Sequence, residues 1–165
     1  MARRAAFRWV CPLTALALGT ALGHARLVEH WPYDKLLRSS DLVVIAQATS
    51  TKDSGEVKAA DYWKVKLLGV NTSFAVQAVL KGSHAAKELT VLHYRLERGV
   101  SVINGPGLVS FRTGGMSVRT KRGAAGWKHS QYLLFLRKRS DGRFEPVSGP
   151  IDPELSVREV VRTLP

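Results

Sequence analysis

The sequence predicts a small, mainly β domain: a closed antiparallel barrel or sandwich with a short helix at its N-terminal end and another at its C-terminal end. Three observations predict it. Six or seven short segments rich in Val, Leu, Ile, Phe and Tyr recur along the chain, several with period-two alternation. Turn signals punctuate them: Lys81-Gly82-Ser83, Asn104-Gly105-Pro106-Gly107 and Asp141-Gly142. The sole cysteine, Cys11, falls in a segment expected to be removed, so the fold must hold by burial alone, and closure would hide strand edges.

That removed segment is residues 1–25. Arg3, Arg4 and Arg8 precede an apolar stretch at 9–22, and Gly23-His24-Ala25 follows as a small-x-small cleavage site. This is the layout of a secretory signal peptide. The stretch is shorter than the roughly 20 apolar residues of a membrane span and carries Pro12 and Thr14. The expectation is an exported protein, periplasmic or extracellular, with one domain at 26–165 and no stable transmembrane segment after cleavage. About 140 residues suffice for one self-supporting core.

The elements follow in order. Residues 31–40 read as a short helix, with Pro32 in the first turn, where a missing N–H is harmless. Asp41 introduces the strand 42–49, and the polar stretch 50–61 reads as a connecting loop. Trp63, Val65 and Leu67 alternate with outward Lys64 and Lys66 as a half-buried strand. Gly69-Val70-Asn71 marks a turn or bulge before a further strand at 74–80. Residues 89–96 are apolar on both faces, as in a barrel wall. A short strand is expected at 108–111, then a glycine-rich basic loop or ragged hairpin at 112–129. Gln131-Tyr132-Leu133-Leu134-Phe135-Leu136 is the strongest central strand, and Arg143–Val147 its return, with Pro146 near an edge. Residues 154–164 read as the terminal helix.

The run Asp41-Leu42-Val43-Val44-Ile45-Ala46-Gln47-Ala48, then Thr72-Ser73-Phe74-Ala75-Val76-Gln77-Ala78-Val79-Leu80-Lys81-Gly82, then the 131–136 strand with Asp141-Gly142-Arg143-Phe144, resembles exported bacterial proteins with an OB-fold barrel. The type is that of tissue inhibitors of metalloproteinases and netrin modules. The resemblance covers about 36–147 and implies a closed or partly open OB-like barrel. Those inhibitors chelate a protease zinc through an N-terminal cysteine held by disulfides. Here the expected mature end is Arg26-Leu27 and no cysteine remains, so no inhibitory residue carries over.

Chemistry-bearing motifs are sparse. Without cysteine the mature chain offers no thiol nucleophile and no Cys-ligated zinc site. His30, His84, His93 and His129 lack metal-ligand spacing, so neither a metal nor a cofactor is expected. No Gly-x-Ser-x-Gly elbow or phosphate-cradling loop occurs. His93, with Tyr94 or Arg95, is the main candidate for an enzyme with a non-local site. Asn71-Thr72-Ser73 matches a glycosylation acceptor, which acts only in a eukaryotic secretory pathway.

Charge supplies the best binding candidate. The chain carries 25 basic and 13 acidic residues; without the three leader arginines the balance is 22 against 13, or +9. Residues 112–129 hold Arg112, Arg119, Lys121, Arg122 and Lys128 with Trp127 and no acid, and Arg137, Lys138 and Arg139 are expected to join the same rim. Guanidinium forks suit phosphate or sulfate, and an aromatic ring can stack on a sugar or base. The first expectation is therefore a non-catalytic exported domain that binds a protein or envelope component. The alternative is an anionic polymer bound through 112–139: polysaccharide or lipid headgroup ahead of nucleic acid. An enzyme is the third reading.

Overall fold

The computed structural model describes residues 26–119 and 125–160. The expected leader 1–25, Lys121 and Arg122, and the end of the expected terminal helix lie outside the described residues. The elements are α1 (Tyr33–Ser39), β1 (Leu42–Ala60), β2 (Val65–Lys81), β3 (Glu88–Leu96), β4 (Gly115–Arg119), β5 (Ala125–His129), β6 (Gln131–Lys138), β7 (Phe144–Pro146) and β8 (Val157–Val160).

Five strands close into a ring because β1 has two partners. Its first residues, Leu42 to Gln47, pair with β6, while the strand as a whole pairs with β2. β2 pairs with β3, β3 with β7 and β7 with β6. The spatial order β6-β1-β2-β3 is a Greek key, since β6 returns by a long connection to lie beside β1. β8 extends the sheet along the first half of β6. β4 and β5 form a two-stranded sheet of their own.

Period-two alternation fills the ring. Leu42, Val44, Ala46 and Ala48 of β1 point inward with Phe74, Leu89, Val91, Leu134, Leu136 and Phe144. The outward residues Val43 and Phe135 receive Leu36 of α1. On the outer face of β2 and β3, Leu67, Leu92 and Tyr94 form a third cluster, against which Trp63 and Leu108 pack.

The ring is weakly zipped in one place. β3 and β7 share a single residue pair, Val91 with Phe144, and that contact is parallel, whereas the other ring pairings are antiparallel. Phe111 joins the core cluster that holds both residues of this seam. Its ring meets Phe74, Tyr132 and His93 edge-on, with centroids 4.8, 5.1 and 4.9 Å away. The Arg112 N–H donates to the Tyr132 hydroxyl at 2.9 Å, which fixes the segment from outside.

Several sequence expectations are corrected. Residues 50–60 are strand, not loop: β2 supplies the ladder, so exposed polar side chains suffice there. The two strands expected at 63–67 and 74–80 are one, β2, because Gly69 marks a close approach rather than a turn. A Cβ on Gly69 would sit 2.2 Å from Ser54 Oγ, where β1 bulges over it. Residues 108–111 join no ladder; they act through Val109 and Phe111 side chains. The terminal helix is a 3-10 turn, Pro153–Ser156, followed by β8. Val157 and Val160 are β-branched, and the open edge of β6 offers backbone partners that an isolated short helix lacks.

Because Phe111 is the centre of the aromatic cluster, Phe111→Ala is expected to lower unfolding free energy by about 3–5 kcal/mol. Urea unfolding of the two proteins checks this; a loss below about 1 kcal/mol would show that the seam closes without it.

Candidate functional site

His93 sits on β3 with its side chain turned into the ring. It is 4% exposed. Nε2 lies 2.8 Å from Thr72 Oγ1, which lies 3.0 Å from Thr51 Oγ1. Nδ1 is buried with no hydrogen-bond partner among the described residues. Burial pushes its pKa down to about 4, and the Val109 backbone, which does not reach hydrogen-bonding geometry with Nδ1, opposes this only weakly. The imidazole is thus a neutral core group, and it does not line either cleft at the β6–β7 turn.

Those clefts, of about 340 and 280 Å³, flank His84, which stands edge-on to Phe144 at 5.6 Å. Both are shallow, and the Gly142 turn borders both. Among the described residues no three His, Cys, Asp or Glu side chains converge as metal ligands.

The turn between β6 and β7 carries an ion-pair cluster. Arg143 pairs with Asp141 at 2.6 Å and with Glu56, and its Nη1 donates to Asn71 Oδ1 at 2.8 Å. Arg139 pairs with Asp141 and Glu145, both at 3.1 Å, and reaches Glu56 at 3.6 Å. Arg137 pairs with Glu145 at 2.8 Å. The Arg143 guanidinium holds the Asp141 carboxyl well below the usual range. The bulge at 54–56 is what aims Glu56 here, and Tyr94 Oη donates to it at 3.4 Å; burial and that carboxylate raise the Tyr94 pKa. Three arginines thus face three carboxylates.

This separates the expected basic rim into two parts. Arg137 and Arg139 are neutralised in the cluster, while Lys138 is exposed. Arg112 is exposed and lies beside Tyr132, at the other end of β6. Six residues of extended strand, 131–136, stand between Ser130 and Arg137, on the order of 20 Å. On the hairpin, Arg119 is paired with Ala125, Lys128 with Met116 and Trp127 with Ser117.

A different surface gathers apolar groups. Asp61–Trp63 form a 3-10 turn between β1 and β2, closed by Lys64 in the left-handed region at φ 53°. Trp63 is the hub. Its Nε1 donates to the Asn104 carbonyl at 2.9 Å, the Arg26 guanidinium lies 5.2 Å above its ring, and Tyr62 meets it edge-on at 5.1 Å. Arg26 also pairs with Asp152 at 2.8 Å, and Asp152 accepts from the Gly107 N–H at 3.1 Å. Burial alone would raise the Asp152 carboxyl; Arg26 and that N–H hold it below the usual range. Around this fixed hub, Leu27, Tyr62 and Ile103 are 98, 74 and 92% exposed. Sequence reading placed Trp63 on a strand face and passed over these three. The available signal was the Tyr62-Trp63 pair against a polar background, but nothing in the sequence ties 26–27 or 103–104 to it.

No protein-family model, curated protein or solved structure matches the chain.

The His93 environment makes a pH prediction. Its folded pKa is below the ordinary 6.5, so its contribution to stability is complete above about pH 6.5 and is lost as pH falls toward 4. The loss amounts to about 3 kcal/mol. His93→Gln, which keeps a group able to bond Thr72, is expected to flatten the stability profile between pH 6.5 and 4. Unfolding curves across that window check it; an unchanged slope would place the acid sensitivity elsewhere.

Proposed function

We propose that the chain is an exported, non-catalytic binding domain, periplasmic or extracellular, that recognises a protein or envelope component through the surface around Trp63. The export part rests on the leader pattern at 1–25. The scaffold is read as an OB-like barrel of the netrin-module type: five ring strands, Greek-key order and one loosely zipped seam match a partly open five-stranded Greek-key barrel. The observation that carries the binding role is the grouping of Leu27, Tyr62 and Ile103, all strongly exposed, on three segments pinned to one tryptophan. Exposed apolar groups on segments anchored to one hub point to a contact surface, whereas singly scattered ones need no explanation. Retention of the chain on envelope extract is expected to persist at high salt and to fall at least tenfold in Tyr62→Ser/Ile103→Ser. Retention that survives the double substitution would move the binding role to another surface.

A second reading has its own support. The hairpin β4–β5 forms a sheet apart from the ring, and the sequence of 112–129 contains five basic residues and no acid. That arrangement suits an anionic polysaccharide. Binding to dextran sulfate is expected to weaken steeply with salt, by counterion release, and to drop in Arg119→Glu/Lys121→Glu/Arg122→Glu. Salt-independent binding would overturn this reading.

A further inference from the structure

We infer that the end of the ring around Trp63 rests on an anionic bilayer surface, with Leu27, Tyr62 and Ile103 as the side chains that enter it. This rests on the binding-domain reading above and names the envelope component contacted.

Shape is the first argument. The three apolar side chains come from separate loops and turns about one hub, and each is far more exposed than buried. A stable protein interface needs a continuous patch of about 800 Å² per partner. Single protruding apolar groups beside a Trp and a Tyr instead suit the interfacial layer of a membrane, where aromatic rings settle at headgroup depth.

Position is the second. The apolar stretch 9–22 ends five residues before Leu27. Fully extended, five residues span at most about 18 Å. Arg26 is fixed by Asp152 and by the face of Trp63, so the leader joins the fold at this end. While the leader occupies a bilayer during export, this end of the domain is held within about 18 Å of it, and the opposite end is not so constrained.

Charge is the third. Lys58, Lys64 and Lys66 are exposed beside the Asp61–Trp63 turn and, among the described residues, have no ion-pair partner. The other acids of the same β1–β2 hairpin are engaged: Asp53 pairs with Arg95 at 3.0 Å, and Glu56 with Arg143. Asp61 is the remaining carboxylate of that hairpin. The three lysines therefore present a positive fringe around the apolar tips, complementary to anionic headgroups.

The test is co-sedimentation of the full chain with phosphatidylglycerol/phosphatidylethanolamine vesicles and with phosphatidylcholine vesicles. Leu27→Ser/Tyr62→Ser/Ile103→Ser leaves the leader intact, so it separates the two sources of binding. It is expected to cut the partition coefficient by about tenfold or more, as the loss of three apolar insertions requires. Lys58→Gln/Lys64→Gln/Lys66→Gln is expected to abolish the preference for the anionic vesicles. Because all six side chains are exposed, an unchanged thermal unfolding midpoint is the control for folding. Failure of the unsubstituted chain to bind anionic vesicles, or equal binding by the apolar triple variant, would overturn the inference. If Tyr62→Ser/Ile103→Ser still loses its retention on lipid-depleted extract in that case, the binding-domain reading stands with a protein partner. If it loses neither, both fall.

Discussion

Closure of the ring around Phe111 is the constraint on which the rest of the structure depends. A ring of five strands must join its first and last members, and here the last step, between β3 and β7, is one parallel residue pair. Backbone ladder bonds cannot hold that seam. Side-chain burial supports it instead: Val91 and Phe144 lie in the same core cluster as Phe111, which meets Phe74, Tyr132 and His93 and so ties β2, β3 and β6 through one aromatic ring. Such a seal needs close packing more than hydrogen bonding, because an aromatic ring contributes through its contact area and edge-on geometry.

The same connection that seals the core also builds the candidate surface. Between β3 and β4 the chain supplies the Asn104 carbonyl to Trp63, the Gly107 N–H to Asp152, Leu108 to the outer cluster and Phe111 to the inner one. The Trp63 hub is therefore coupled to core packing, not appended to it. Arg26 extends the coupling to the start of the fold through Asp152.

Electrostatics divides the surface in two. Around the β6–β7 turn, three arginines and three carboxylates cancel, and their partial exposure limits what each pair contributes to stability. The excess positive charge of the chain then resides on residues outside that cluster, including the hairpin arm and the lysines of the β1–β2 hairpin. The third carboxylate comes from the β1 bulge that swings Glu56 over Gly69 to reach Arg143.

The sequence by itself determined the mainly β class, the strand that begins at Leu42, the N-terminal helix and the central place of 131–136. These follow from local periodicity and turn chemistry, which are written in neighbouring residues. It also showed that 112–129 is basic and acid-free. The tertiary structure alone decided that 50–60 continues as strand, that 157–160 is strand rather than helix, and that Arg137 and Arg139 are neutralised while Tyr62 and the neighbours of Leu27 and Ile103, Arg26 and Asn104, converge on Trp63. Most of those outcomes turn on a partner distant along the chain, β2 for β1, β6 for β8 and Asn104 for Trp63, while Arg137 and Arg139 take the carboxylates Asp141 and Glu145 of their own turn. A backbone edge or a charge takes the partner that folding brings to it, and no local pattern encodes which one that is.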